Sequence, residues 1–332
     1  MATKEVRIVA VTGASGFVGR HLVERLLQED DLQVRCVVRP GSDRTALERL
    51  GGDVVFVEGD ITRPATLRHA FDGAWGVVNL AGYRDFWARS SKRYYQINER
   101  GAENVFRAAL AAGVAKAVQV STPLAYGVPA AMPFDEDSAA GRHPNHYGRS
   151  KYLGDQAAWR LYEEQGLPLS VVYLAAVIGA GDDTATMEVR RAVERKLPAL
   201  VGADTTYTYV YVRDAAEAIA RALLSDHTVG ERYLIGVQRA TTREYFALIG
   251  DLAGVPIPQW NVSEKWLYPV ARGMEWVAAC TGRRPQLPLD VLKTTAAGSL
   301  LFDGSKAQRE LGMRYAGLDK ALAESISAIQ NG

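Results

Sequence analysis

Up to about residue 178 the chain repeats one unit, a short unbroken apolar run rich in β-branched residues followed by a longer stretch with helical spacing. The runs are VRIVAVTG, QVRCVVR, DVVFVEGD, WGVVNLAG, KAVQVST and LSVVYLAAVIG, and each ends near Gly, Asn, Ser or Thr. A strand without polar alternation must be covered on both faces, and intervening helices provide that cover. Among them GRHLVERLLQE and GAENVFRAALAAG carry apolar residues at helical spacing, the second stopped by Gly113. The expected fold is α/β, a doubly wound parallel sheet. Beyond residue 179 the rhythm is lost: a helix through TMEVRRAVERK precedes TYTYVYVRDAAEAIARALL, where a strand runs into a helix. A Pro- and Trp-richer region from about 255 to 300 is expected to cap the active site. The expected division is a dinucleotide-binding domain at 1–178, to which 209–236 return, and a smaller, mostly helical substrate-binding part at 179–208 and 237–330.

Composition narrows the partner. With 39 basic and 38 acidic residues among 332, the net charge is +1 and no run of like charges occurs, which gives nucleic acid or a membrane surface no electrostatic support. A small molecule is expected, and a homodimer is compatible. Cys36 and Cys280 stand far apart with no His or Cys at ligand spacing, so neither a disulfide framework nor a metal site is expected, and both read as buried thiols of a reducing compartment. MATKEVRIVAVTG enters a strand without a charged-then-apolar signal, and no apolar run approaches the ~18 residues of a membrane span, so a soluble, cytoplasmic protein is expected.

The first run leads into TGASGFVGR, with Gly13, Gly16 and Gly19 followed at once by a helix. Glycines there permit a tight turn, approach of backbone N–H groups to a pyrophosphate, and close packing of helix on strand, with the helix N-terminus favouring the anion. Together with Ser15, Phe17 and Val18 they are the candidate dinucleotide contacts of a Rossmann-type fold. Arg39 stands 20 residues after Gly19, and RPGSDR offers Arg39 at the strand end, where an acid would bind the ribose of NAD, with Asp43 and Arg44 only further into the loop. NADP(H) is therefore expected over NAD(H). EGD puts Asp60 and Ile61 where an adenine edge would lie, with helix capping by Asp60 equally open. NLAG brings Leu80, Ala81 and Gly82 beside the cofactor.

PNHYGRSKYLGDQAAW places Tyr147 and Lys151 four residues apart, on one face of a helix. A phenol has a pKa of about 10, too high for easy proton exchange at neutral pH, and an adjacent cation favours the phenolate. VST adds Ser121 and Thr122 at the carboxyl edge of the sheet, where open α/β folds bind ligands. TGASGFVG, NLAG, YYQINERGAENV, VSTPLAYG, YGRSK and YVYVRDAAEAI, in this order along nearly the whole chain, resemble the extended short-chain dehydrogenase/reductase family. YRDFWARSSKRYYQIN and GRRPQLPLDVLKTTAAGSLLFDGSKAQRELGMRY look most like its bacterial dihydroflavonol reductase-like and hopanoid-associated sugar epimerase-like members.

The resemblance implies Tyr147 as catalytic acid/base, Lys151 as the group that holds the nicotinamide ribose and lowers the tyrosine's pKa, and Thr122 as the hydroxyl that orients the substrate oxygen. It adds Leu174 and Val177 as cofactor contacts. Asn98 is a candidate for a water-borne proton relay or for a plain core hydrogen bond. Nucleotide-sugar members carry polar anchors in the sixth-strand segment, where this chain has Leu174, Ala175 and Ala176, with Arg190, Arg191 and Arg213 as remaining cations. Tyr83, Phe86, Trp87 and Tyr126 are the expected lining of an apolar substrate pocket; Trp260, Trp266 and Trp276 would either join them or pack the small domain. The expected activity is NADPH-dependent reduction of a ketone or aldehyde on a hydrophobic or aromatic molecule. The alternatives are an epimerase or dehydratase that keeps its cofactor, and a non-catalytic dinucleotide sensor.

Overall fold

The computed structural model describes residues 6–331 apart from Asp53 and Asp182, so Met1–Glu5 of the N-terminal reading and the first residue of DVVFVEGD lie outside the described residues. Twelve strands follow one another in the described chain: β1 Arg7–Thr12, β2 Leu32–Val38, β3 Val54–Glu58, β4 Gly76–Asn79, β5 Lys116–Ser121, β6 Leu169–Leu174, β7 Ala176–Ile178, β8 Leu200–Val201, β9 Thr206–Tyr211, β10 Arg232–Ile235, β11 Gln238–Thr241 and β12 Asn261–Val262. Seven form one parallel sheet in the order β10-β6-β5-β4-β1-β2-β3. The chain steps outward from β1 to β3, then restarts at β4 on the other side of β1. That reversal opens a crevice beyond the carboxyl ends of β1 and β4, the place where doubly wound sheets bind ligands.

The unbroken apolar runs have the burial expected of them. Val9, Val11, Val34, Val77, Val78, Val118, Val171 and Val172 are all fully buried between the helices. Helix Phe17–Leu26 follows the glycine loop, and helix Ala102–Ala111 ends before Gly113, whose positive φ of 68° closes it. The helix carrying Tyr147 and Lys151 spans His146–Gln165, started by the Asn145 side chain, which accepts from Gly148 N at 2.8 Å, and stopped by Gly166 at φ 71°.

Two readings change. LSVVYLAAVIG is not one strand: Ala175 N donates to Ile235 O of β10, and the chain then switches sheets, so that β7 joins β9 and β11 in a second, three-stranded sheet. β10, which closes the main sheet, had no run long enough to announce it. Past β7 the structure is mostly helical, with helices Asp183–Val193, Val212–Leu224, Thr242–Ala253, Glu264–Thr281, Leu289–Ala296, Ser305–Glu310 and Leu318–Gln330. Cys36 is buried in β2, where burial pushes its thiol up to about 12, but Cys280 is exposed near the end of Glu264–Thr281. No helix among the described residues is long and apolar enough to cross a membrane.

Candidate active site

At the end of β1 the chain turns through Gly13 at φ 71°, and Gly16 N donates to Gly13 O at 3.0 Å. A Cβ on Gly13 would come within 2.7 Å of the Ala81 nitrogen, and one on Gly19 within 2.2 Å of Gly13 O. Only glycine allows helix Phe17–Leu26 to sit this close to β1 and the NLAG segment. The helix starts at Gly16 with no side-chain cap and no acid in its first turn, so its N-terminal N–H groups and positive end face the crevice beside Ser15 and Phe17. These residues fit a dinucleotide pyrophosphate. Leu80 N donates to Thr12 O at 3.1 Å and Ala81 N to Thr12 Oγ1 at 3.4 Å, which fixes the small residues of NLAG at the floor. Opposite, Arg20 Nη2 donates to Gly181 O at 2.6 Å and latches the first helix to the chain after β7. Nothing in the sequence separated Arg20 from an ordinary surface cation.

The ends of β2 and β3 carry the residues expected around the adenosine. Arg39 is exposed just past β2, close enough to Asp60 for its charge to help lower that carboxyl's pKa. Burial opposes this as the largest influence on Asp60, and the Thr62 hydrogen bonds help to override it. Asp60 Oδ1 accepts from Thr62 N at 2.8 Å and from Thr62 Oγ1 at 2.7 Å, so the capping reading describes one side of this carboxylate. Arg44 lies 3.8 Å from Glu58 and over the Phe56 ring. Ile61 is 9% exposed and packs on Gly101, where a Cβ would meet it at 2.7 Å. Leu174 is buried at the end of β6 and Val177 half-buried in β7.

Thr122, Tyr147 and Lys151 meet at the end of β5. The Thr122 side chain lies close enough to the Tyr147 phenol to favour its ionised form, and Lys151 Nζ donates to Val120 O at 2.8 Å. Burial pushes the Tyr147 phenol above its ordinary value; the Arg84 charge and the nearby Thr122 side chain oppose it, and Asp155 adds to it. The Arg84 guanidinium, from the loop after β4, is a cation that favours the phenolate and that the Tyr–Lys spacing does not announce. Lys151 is itself lowered by burial, which the facing Asp155 counteracts.

Asp155 sits among these residues without being singled out by the sequence motifs. The register pairs Thr12 with Asn79 and Asn79 with Gln119, setting three polar side chains in a row across an apolar sheet. Thr12 Oγ1 donates to Asn79 Oδ1 at 2.6 Å, Asn79 Nδ2 to Gln119 Oε1 at 2.8 Å, and Gln119 Nε2 to Asp155 Oδ1 at 3.1 Å. Ser121 Oγ donates to Asp155 Oδ2 at 2.6 Å. All are buried, and burial raises Asp155 to about 6 against the pull of Lys151, Ser121 and Gln119. The signal was present: Asp155 lies four residues after Lys151, one helical turn, and Asn79 and Gln119 interrupt strands buried on both faces.

The aromatic residues separate. Phe86 meets Tyr147 edge-on with ring centroids 6.1 Å apart. Tyr83 is held by its backbone to Asn98, which accepts from Tyr83 N at 2.7 Å and donates to Tyr83 O at 3.0 Å, while the Tyr83 hydroxyl donates to Trp87 O. Asn98 also donates to Ser150 Oγ at 2.9 Å, a core hydrogen-bonding role inside the π-helical turn Tyr95–Gly101. Tyr126 is a correction: it is 6% exposed, packs between Phe134 and Tyr173, and donates its hydroxyl to Glu136 O, so it belongs to the core. Trp260, Trp266 and Trp276 neither line a pocket nor pack the small domain, being 80%, 80% and 72% exposed.

Residues 9–236 match the NAD dependent epimerase/dehydratase family. The chain belongs to it. Its members are extended short-chain dehydrogenases/reductases that use a nicotinamide dinucleotide in reductions, epimerisations and dehydrations. A protein of Synechocystis named "Putative dihydroflavonol 4-reductase" is 32% identical over 331 residues, 97% of this chain and 94% of its own. Sterol demethylase protein B of Methylococcus capsulatus is 24% identical over 325 residues, 96% of each chain. The crystal structure of gox2253 superposes with a TM-score of 0.83 at 29% identity, over 98% of both chains.

Proposed function

We propose that this protein is an NADPH-dependent reductase of a ketone or aldehyde on an apolar small molecule. The observation that carries the reading is the Thr122–Tyr147 pair with the Phe86 ring set against Tyr147. In this reading Tyr147 is the proton donor, Thr122 the orienting hydroxyl and Phe86 an apolar wall beside them. Gly13, Gly16, Gly19, Ala81, Gly82 and Lys151 would hold the cofactor, which when bound supplies the hydride. Thr122 orients the substrate carbonyl oxygen. Tyr147 gives that oxygen its proton as the alcohol forms, and the nearby Arg84 charge favours the phenolate left behind. Residues 179–208 and 237–330 form the substrate side in this reading.

Diphosphate anchoring finds little support. The sixth-strand segment passes from sheet to sheet as Leu174, Ala175 and Ala176, Arg190 lies 3.8 Å from Glu194, and Arg213 is engaged with Tyr211 and Glu24. A nucleotide sugar brings about two negative charges that need several fixed donors. An aromatic or alicyclic carbonyl needs only apolar walls, at about 25 cal/mol per Å² of apolar surface buried. The preference for NADP(H) rests on Arg39, since no carboxylate occupies the end of β2.

The test is NADPH oxidation across aryl aldehydes, flavanonols, ketosteroids and nucleotide sugars, alongside calorimetry with UDP. Stoichiometric oxidation with an apolar carbonyl is expected. Micromolar UDP binding without net NADPH turnover would replace the reductase with an epimerase.

A further inference from the structure

Helix Glu264–Thr281 turns a one-sided surface outward. Its inner face is made by Ala271, Ala278 and the half-buried Leu267 and Met274, and Glu275 also faces inward, accepting from Leu289 N at 2.9 Å. The outer face carries Trp266, Val270, Gly273 and Val277 at helical spacing, with Trp276 and Cys280 beside them. Trp266 is 80% exposed, Trp276 72%, Val277 52% and Val270 48%, and Trp260 just before the helix is 80% exposed. A soluble surface rarely presents so many large apolar groups together. Lys265 and Arg272 lie along one edge of this face, and Arg283 and Arg284 follow its end, all exposed. Between 264 and 284 every exposed charge is positive: the two acids, Glu264 and Glu275, are half-buried.

We propose that this helix is a membrane-docking element that lies in the interface of an anionic bilayer. Tryptophans favour the boundary between acyl chains and headgroups, where an apolar ring and a polar N–H are both accommodated. A helix with an aromatic-apolar face and a cationic edge settles into that boundary, its cations paired with lipid phosphates. The choice of an anionic lipid surface over a protein partner follows from the charge pattern, since a second copy would set these same cations against each other. The net charge of +1 conceals the patch, because acids elsewhere in the chain cancel it. The helix also adjoins the aromatic loop of the site: Arg284 lies 3.2 Å from Asp85, between Tyr83 and Phe86. Docking would thus bring the mouth of the crevice to the bilayer. The proposal does not depend on the substrate reading, because vesicle binding is measured without turnover.

The test is co-sedimentation of the full chain with vesicles of phosphatidylcholine alone and of phosphatidylcholine mixed with phosphatidylglycerol, read together with tryptophan emission. Binding to the mixed vesicles with a blue shift is expected, weakened by salt and about tenfold or more poorer for Trp266→Glu/Val270→Glu and for Lys265→Glu/Arg272→Glu. Circular dichroism and dinucleotide binding check that each variant is folded. Equal sedimentation with both vesicle types, equal binding by a folded variant, or a dimer in light scattering that Val270→Glu splits would overturn it.

Discussion

The carboxyl edge of the sheet holds two neighbouring regions built in opposite ways. Around Gly13 and Gly19 the structure is backbone on backbone, with side chains excluded by nearest distances of 2.7 and 2.2 Å. Around Thr122, Tyr147 and Lys151 it is side chain on side chain, a buried hydrogen-bonded line from Thr12 through Asn79 and Gln119 to Asp155 and Ser121. The first region is set by sterics and is indifferent to pH. The second contains groups whose charges are costly in a buried setting, so it should respond to protons and to the loss of single atoms.

The sharpest break between them is Tyr147→Phe. It removes one oxygen, and turnover should fall by about 10²–10⁴-fold, the range of general acid–base catalysis. Dinucleotide affinity should stay within a few-fold, measured by fluorescence titration. A matched loss of affinity would mean that the phenol belongs to the binding half.

Gly19→Ala is the converse. Its Cβ would meet Gly13 O and Ala14 O, both backbone and unable to rotate away, so strain of about 1–3 kcal/mol is expected. Dinucleotide affinity and melting temperature should both drop. Gly273→Ala, an exposed position in helix Glu264–Thr281 where nothing lies within 4 Å, is the control: affinity should be unchanged and the melting temperature unchanged or slightly raised, since alanine favours a helix interior. Wild-type affinity in Gly19→Ala would show that this half is more pliant than its distances imply.

Arg39→Asp acts at the far rim of the binding half. A phosphate held by a charge-assisted hydrogen bond is worth about 1.5–3 kcal/mol, so the ratio of NADPH to NADH affinity should change by about ten- to a hundredfold and reverse. Equal affinities in the unmodified protein would leave Arg39 an ordinary surface charge.

How much of this the sequence disclosed follows from the same contrast. Glycine spacing, continuous apolar runs and Tyr–Lys spacing are local, and each was read at its place. What escaped notice depends on register and on long-range approach. Gln119 meets Asp155 only because β5 packs under helix His146–Gln165. Arg84 bears on Tyr147 from a different loop, and Tyr126 reads as pocket lining in the sequence because its neighbours Phe134 and Tyr173 come from elsewhere in the chain. The outward-facing tryptophans escape the sequence for a related reason. Tryptophan content says nothing of which way a helix turns.

Asp155→Asn probes the reactive half most gently, since it changes one group's ionisation and keeps its shape. Burial raises the folded-state pKa to about 6 from an ordinary 3.8. The folded protein therefore binds this proton more tightly than the unfolded chain does. Below pH ~4 the acid is neutral in both states and contributes no pH dependence. As the pH rises toward 6 the unfolded chain releases the proton first, so the wild type loses stability relative to Asp155→Asn, and above 6 the difference levels off. Melting temperatures of the two proteins between pH 4 and 8 should show this difference developing below 6 and flat above. Lys151 should respond too, since Asp155 is the group that counteracts the lowering of its pKa by burial. Removing the carboxylate should let the lysine pKa fall further, and the alkaline loss of cofactor affinity should move to lower pH. A melting-temperature difference that stays constant with pH would mean that Asp155 remains ionised throughout, held by Ser121, Gln119 and Lys151 more firmly than its burial opposes.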